Sequence, residues 1–172
     1  MITGSIISLR PFERRHLDKT RAWINDPELS RLLGRARPVS DVEHERWFAG
    51  LHERPDCVYF AIETNVDSRH VGNVWLSDID WRHRKGELQI VVGEPDSLGR
   101  GIGTETITLM CSYAFERLHL HKVSAYVLAI NPRGLRAFEK AGFAVEGVLK
   151  KDRWVGGQYL DVYLLGKCYE AG

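Results

Sequence analysis

Apolar and polar positions change period along this chain, and the changes mark out its elements. Ile6-Ile7-Ser8-Leu9-Arg10 predicts a short strand that Pro11 ends, because proline has no N–H to give to a ladder. Leu17 and Ile24, one heptad apart, put an apolar face on a helix that stops at Asn25-Asp26-Pro27, and Glu28 to Leu33 predicts a further helical turn. Ser40-Asp41-Val42-Glu43 has the form of a capping box, in which the Ser40 and Glu43 side chains each satisfy an amide orphaned at a helix start. The helix it opens carries Trp47, Phe48 and Leu51.

Cys57 to Thr64, Val71 to Ile79 and Glu87 to Val92 are rich in β-branched or aromatic residues and predict three strands of a meander, joined by polar stretches at Asn65 to Arg69 and Trp81 to Gly86. From Thr104 to Leu118 the period lengthens: Ile107, Met110, Cys111, Ala114, Phe115 and Leu118 recur at three and four, as on an amphipathic helix. Val123, Ala125 and Val127 then alternate along a strand running to Ile130. Asn131 can cap a second helix through Leu135, Phe138 and Ala141, with Gly142 as the left-handed residue that ends it. Ala144 to Leu149 and Gln158 to Leu165 close as a strand pair around Gly156-Gly157. This order predicts an α/β fold, a mixed sheet with helices on its faces. If the strands flanking the helix from Thr104 are neighbours, the helical crossover makes them parallel.

No repeat, low-complexity tract or linker divides the 172 residues, so residues 1–172 are expected to form a single domain. The 44% apolar and 27% charged residues are ordinary for a globular chain and exclude wholesale disorder. Lys plus Arg at 24 against Asp plus Glu at 23 leaves a net charge of +1, which offers no global field for nucleic acid; any anion site is local. No apolar run is long enough for a bilayer and the start lacks the apolar core of a signal peptide, so no membrane and a cytoplasmic address are expected. Cys57, Cys111 and Cys168 are widely spaced and unpaired in pattern, which fits a reducing compartment, and Cys111 reads as helix packing. The seven histidines form no metal-binding motif, and no metal is expected.

Between the strand ending at Val92 and the helix from Thr104 lies Gly93-Glu94-Pro95-Asp96-Ser97-Leu98-Gly99-Arg100-Gly101-Ile102-Gly103. Glycines at alternate positions, followed at once by a helix, describe a backbone that lets a phosphate approach while free N–H groups point at it, and Arg100 adds a fixed positive charge. The alternative is a strand-to-helix turn whose glycines only relieve strain. A nucleotide P-loop is excluded because no Lys follows Gly103, and a dinucleotide fingerprint lacks its third glycine.

The run ELQIVVGEPDSLGRGIGTETI, then NPRGLRAFEKAGF, then EGVLKKDRWVGGQYLD resembles the GNAT superfamily of N-acetyltransferases, in its branch of ribosomal-protein N-terminal and polyamine or aminosugar enzymes. LRPFERRHLD and WINDPEL extend the resemblance over nearly the whole chain. It implies a mostly antiparallel sheet of about seven strands, two of them splayed around acetyl-CoA, the expected cosubstrate. It further implies that the main chain of Ile90, Val91 and Val92 holds the pantetheine and polarises the thioester carbonyl. The pyrophosphate is expected on Leu98 to Thr104, chiefly on the amides of Gly99, Arg100, Gly101 and Gly103, with Ile102 and Thr104 in the same turn. Asn131 and Arg133 are expected near the cofactor, although Asn131 is equally a sufficient helix cap and Arg133 equally a solvated residue. Two positions depart from the family pattern: Leu98 stands where the loop usually begins with Gln or Arg, and Phe138 where many relatives place a tyrosine that protonates the leaving thiolate.

Acetylating an amine requires its neutral form, while an alkylamine of pKa about 10 is protonated at neutral pH, so a carboxylate base is expected. Glu87 is the first candidate and matches a glutamate of the family; its plain alternative is a solvated strand end paired with Arg84 or Lys85. Asp80, at the preceding strand end, is the second. The acceptor pocket is expected between the N-terminal helices and the closing hairpin, with walls among Trp23, Trp47, Trp75, Trp81, Trp154 and Tyr159, and with Asp161 either holding a cationic acceptor or bonded within its strand. The reading is direct acetyl transfer to a primary amine of a small molecule, with a peptide N-terminus as alternative acceptor. The rival of another class is a non-catalytic acyl-CoA-binding module, and a homodimer is a possibility that the resemblance carries.

Overall fold

The computed structural model describes residues 1–35 and 37–171. Eight strands form one open sheet in the order β1-β2-β3-β4-β5-β6-β8-β7. They are β1 (Ile2–Thr3), β2 (Ile7–Pro11), β3 (Val58–Thr64), β4 (His70–Asp80), β5 (Lys85–Val92), β6 (Lys122–Leu128), β7 (Ala144–Val155) and β8 (Gln158–Cys168). The helices are α1 (Leu17–Ile24), α2 (Pro27–Leu32), α3 (Asp41–Leu51), α4 (Ile102–Glu116) and α5 (Pro132–Lys140). The expected architecture is present. The strand beyond the expected number is β1, two residues paired to Leu9 and Ser8 and too short to show a period.

The two faces of the sheet are covered by different helices. Val74, Leu76 and Leu88 are fully buried with Ile107, Met110 and Ala114 of α4, and this cluster continues into Val123 and Ala125 of β6. Alternation sends the next residue, Trp75, to the opposite face, where it stacks on Tyr59, which in turn meets Trp47 of α3. There Phe12, Leu17, Leu51 and Ala61 form a second core under α1 and α3. The capping box at Ser40 forms as expected, with Glu43 N–H donating to Ser40 Oγ and Ser40 N–H to Glu43 Oε2.

All neighbouring strands are antiparallel except β5 and β6, which α4 connects. Their parallel ladder holds only Lys85 to Lys122, Gly86 to Val123 and Glu87 to Ser124. Beyond Glu87 the two strands part, while β5 runs on to Val92 bonded to β4 alone. The closing hairpin is longer than its periodicity suggested: β7 shifts register between Val145 and Gly147 and again between Leu149 and Arg153, and the bulges break the alternation that would have revealed it.

Candidate active site

The turn before α4 is shaped by two left-handed glycines, Gly99 at φ 75° and Gly101 at φ 78°. Nothing lies within 4 Å of where their Cβ atoms would stand, so conformation and not space requires glycine here. The backbone N–H groups of Gly99 through Thr104 have no backbone acceptor among the described residues; the first helical bond runs from Glu105 N–H to Gly101 O at 3.0 Å. Unpaired amides at the positive end of a helix dipole form a cradle that could hold an anion such as a phosphate group. Arg100 is exposed beside it. Arg69 to Asp96 at 2.9 Å braces the preceding turn. α5 packs beside Gly103, with Ala137 Cβ 3.7 Å from where a Cβ would stand, an ordinary van der Waals separation.

The cradle opens onto the gap between β5 and β6. Successive amides of a strand point to opposite edges. Gly93 N–H donates to Val71 O at 2.9 Å on the β4 side, so the amides of Ile90 and Val92 face the gap. Val91 differs from the expectation: its carbonyl lies against Gly72 of β4, so its main chain belongs to the β4 ladder. On the far side, Asn131 caps α5 by accepting from Gly134 N–H at 3.0 Å, and Arg133 is exposed in the first turn. Phe138 is 4% exposed and packs edge-on against Phe143, which makes it part of the core between α5 and the sheet.

Glu87 occupies the last rung of the parallel ladder, at the apex of the gap. Its Oε1 accepts from Gln89 Nε2 at 2.7 Å, and Ser77 Oγ donates to Gln89 Oε1 at 3.0 Å. Burial pushes the Glu87 carboxyl above its usual range, reinforced by Asp78 and opposed by the Gln89 bond and Arg153. Ser77 in turn lines a cavity of about 280 Å³ whose walls include Trp75, Tyr59, Trp47 and His44. Cofactor cradle, carboxylate and cavity therefore follow one another across the sheet.

The family model of the acetyltransferase (GNAT) domain matches residues 7–144. The chain belongs to the GNAT acetyltransferases. Its curated relatives include the spermidine N(1)-acetyltransferase of Escherichia coli (strain K12), 29% identical over 160 residues that cover 92% of this chain and 84% of the relative. An N-acetyltransferase 9-like protein of Nematostella vectensis is 27% identical over 83% of this chain and 76% of its own length. Among solved structures, the spermidine N-acetyltransferase of Vibrio cholerae in complex with CoA and spermine superposes with a TM-score of 0.86 at 26% identity, covering 96% of both chains. The β5–β6 gap stands where the resemblance led acetyl-CoA to be expected.

Within the GNAT frame several residues singled out from sequence have other work. Asp80 accepts from His83 N–H at 2.9 Å and meets His83 Nδ1 at 2.8 Å, bonds that close the β4–β5 turn and hold its carboxyl below the usual range, so it is a poor base. Trp81 donates to Pro55 O at 3.1 Å from the same turn. Asp161 accepts from Lys151 N–H at 2.9 Å and from Lys150 Nζ at 3.3 Å, which fastens the β7 bulge; its side chain is already engaged within the hairpin. Tyr159 pairs with Trp154 on the exposed hairpin tip, ring centroids 4.7 Å apart. Trp23 is buried against Gly93. Only Trp47 and Trp75 of the suggested walls line the cavity, together with Tyr59 and His44. Sequence reading missed those two because a lone tyrosine in a strand and a lone histidine in a helix carry no motif.

Proposed function

We propose that this chain, acting as one domain, transfers acetyl from acetyl-CoA to a primary amine of a small molecule in a ternary complex. The observation that carries the reading is the place of Glu87, between the unpaired amides of the β5–β6 gap and the aromatic cavity. Spermidine acetyltransferases among the relatives support polyamines as the first acceptors to examine.

Bound acetyl-CoA supplies an activated thioester. The amides of Gly99 through Thr104 with Arg100 hold its diphosphate, and those of Ile90 and Val92 align the pantetheine and polarise the carbonyl. Leu98 contributes no polar contact in place of the usual Gln or Arg, which leaves recognition to the backbone. Glu87, its carboxyl held above the usual range by burial, takes the proton of the amine directly or through water, and Gln89 fixes its orientation. Phe138 has no proton to give, so the leaving thiolate takes its proton from solvent. Three free cysteines fit the cytoplasmic address. Among the described residues no helix is long and apolar enough to cross a membrane. Self-assembly, a dimer first, belongs to the proposal and is read from sedimentation.

The test is thiol release with polyamine, aminosugar and peptide acceptors, products identified by mass spectrometry. Turnover of a small amine upholds the reading; turnover of peptides alone moves the acceptor to a protein N-terminus. Tight acetyl-CoA binding with no turnover of any acceptor leaves a cofactor-binding module.

A further inference from the structure

His44, on α3, is 2% exposed, yet neither ring nitrogen has a hydrogen-bond partner among the described residues. A buried polar group without a partner is destabilising, so its presence on a cavity wall points to a ligand that pairs it. The imidazole ends a run of rings that starts at Trp75, across the ladder from Gln89, whose amide bonds the Glu87 carboxylate. Trp75 stacks on Tyr59 at 4.9 Å, Tyr59 meets Trp47 edge-on at 5.3 Å, and Trp47 stacks on His44 at 5.1 Å. Ser77, which lines the same cavity, stands directly across the β4–β5 ladder from Glu87. An amine delivered to Glu87 through this cavity lays its body on the rings and its far end toward His44.

The charges of the lining decide what that far end is. Arg35 and Arg54 line the cavity, and no described carboxylate does. Burial, reinforced by Arg21 and Arg35 and opposed by Glu45 and Asp41, pushes the His44 imidazole down from its ordinary value, so at neutral pH it is uncharged, with one N–H to give and one lone pair to receive. An ammonium brought there offers donors only, leaves the N–H unpaired and finds Arg35 and Arg54, but no carboxylate, in the lining. An amide or hydroxyl both gives and receives.

We propose that His44 is the specificity-determining residue of the acceptor cavity, selecting primary amines whose far end is an uncharged amide or hydroxyl over those whose far end is a second ammonium. This rests on the acetyltransferase reading above.

Three acceptors sharing a four-carbon chain test it: 1,4-diaminobutane, its mono-N-acetyl derivative and 4-amino-1-butanol. The expected result is a kcat/KM about tenfold higher for the two uncharged-tip amines, expressed mainly in KM. His44→Phe, which keeps a ring on Trp47 without nitrogens, should bring the ratio near one, and His44→Gln should restore part of it. A ratio near one in the unmodified protein, or a ratio that persists in His44→Phe, overturns the proposal. Should His44→Phe not fold, the unmodified protein and His44→Gln decide alone. If acetyl-CoA binds and none of the wider amine panel is acetylated, the acetyltransferase reading fails and takes this inference with it; if amines react without discrimination at the tip, this inference alone fails.

Discussion

The carboxylate of Glu87 and the amide of Gln89, two residues apart on β5, are joined by a 2.7 Å hydrogen bond on the sheet face that carries the aromatic cavity. Because Gln89 is also tied to Ser77, Glu87 has a fixed orientation while its burial keeps the protonated form accessible. A base so placed has a defined cost. Glu87→Gln should lower kcat/KM by ~10²–10⁴ with amine acceptors. Its folded-state carboxyl binds a proton more tightly than the unfolded chain does, so its ionisation weakens the fold as pH rises through the carboxylate range. The same variant should therefore melt no lower than the unmodified protein at pH 7.5. Undiminished turnover, read by thiol release, removes Glu87 from the base role.

The cradle before α4 depends on backbone that L side chains avoid. Gly101→Ala places a Cβ at φ 78° in open space, so only conformational strain is added, about 1–2 kcal/mol. The expected outcome is a lower denaturation midpoint together with several-fold weaker acetyl-CoA uptake by calorimetry. Unchanged uptake in a folded variant would detach this turn from cofactor binding.

Trp23 and Gly93 are in closer contact than any other residue tolerates. A Cβ on Gly93 would lie 2.1 Å from Trp23 Cδ2, at the point where β5 leaves the sheet for the phosphate turn. Gly93→Ala should cost roughly 1–3 kcal/mol or more in urea denaturation, because ring and strand are both fixed by packing. In a Trp23→Ala background the added cost should nearly vanish, and additivity of the two changes would count against the contact.

Acid sensitivity follows from a buried histidine near the same place. His70 accommodates Trp23 and His16 against its ring, and burial pushes its imidazole from 6.5 to about 4, with the Asn73 bond opposing. Below pH 6.5 the unfolded chain takes a proton that the native state refuses, so stability is full above that pH and drains away as it falls toward 4. The loss is on the order of 3 kcal/mol, and His44 shifts in the same direction. Denaturation midpoints at pH 7.5 and 4.5 measure it, and His70→Gln should reduce the difference between them.

Legibility was uneven and followed the range of the forces involved. The α3 start at Ser40, the α4 stripe and the glycine turn were readable because caps, periodicity and positive φ concern residues within a few positions. Asp80 and Asp161 misled because each is a carboxylate at a suggestive strand position while its side chain is engaged by a backbone N–H, that of His83 within the same turn and that of Lys151 across the hairpin. Phe138 was assigned by family position, whereas its burial on Phe143 gives it to the core.

By itself the chain's order of residues determined the succession of elements and the glycine turn at Gly99 to Gly103 that opens α4. Each follows from stereochemistry or from periods of two and 3.6 residues that act within one element. Only tertiary structure decided that β5 and β6 are neighbours, and so parallel, that their ladder ends at Glu87, and that Trp75, Tyr59, Trp47 and His44, from two strands and a helix, stand as one wall. Those facts depend on how far two twisted strands stay paired and on which faces meet across the sheet, and such distances are set by packing between segments that are remote along the chain.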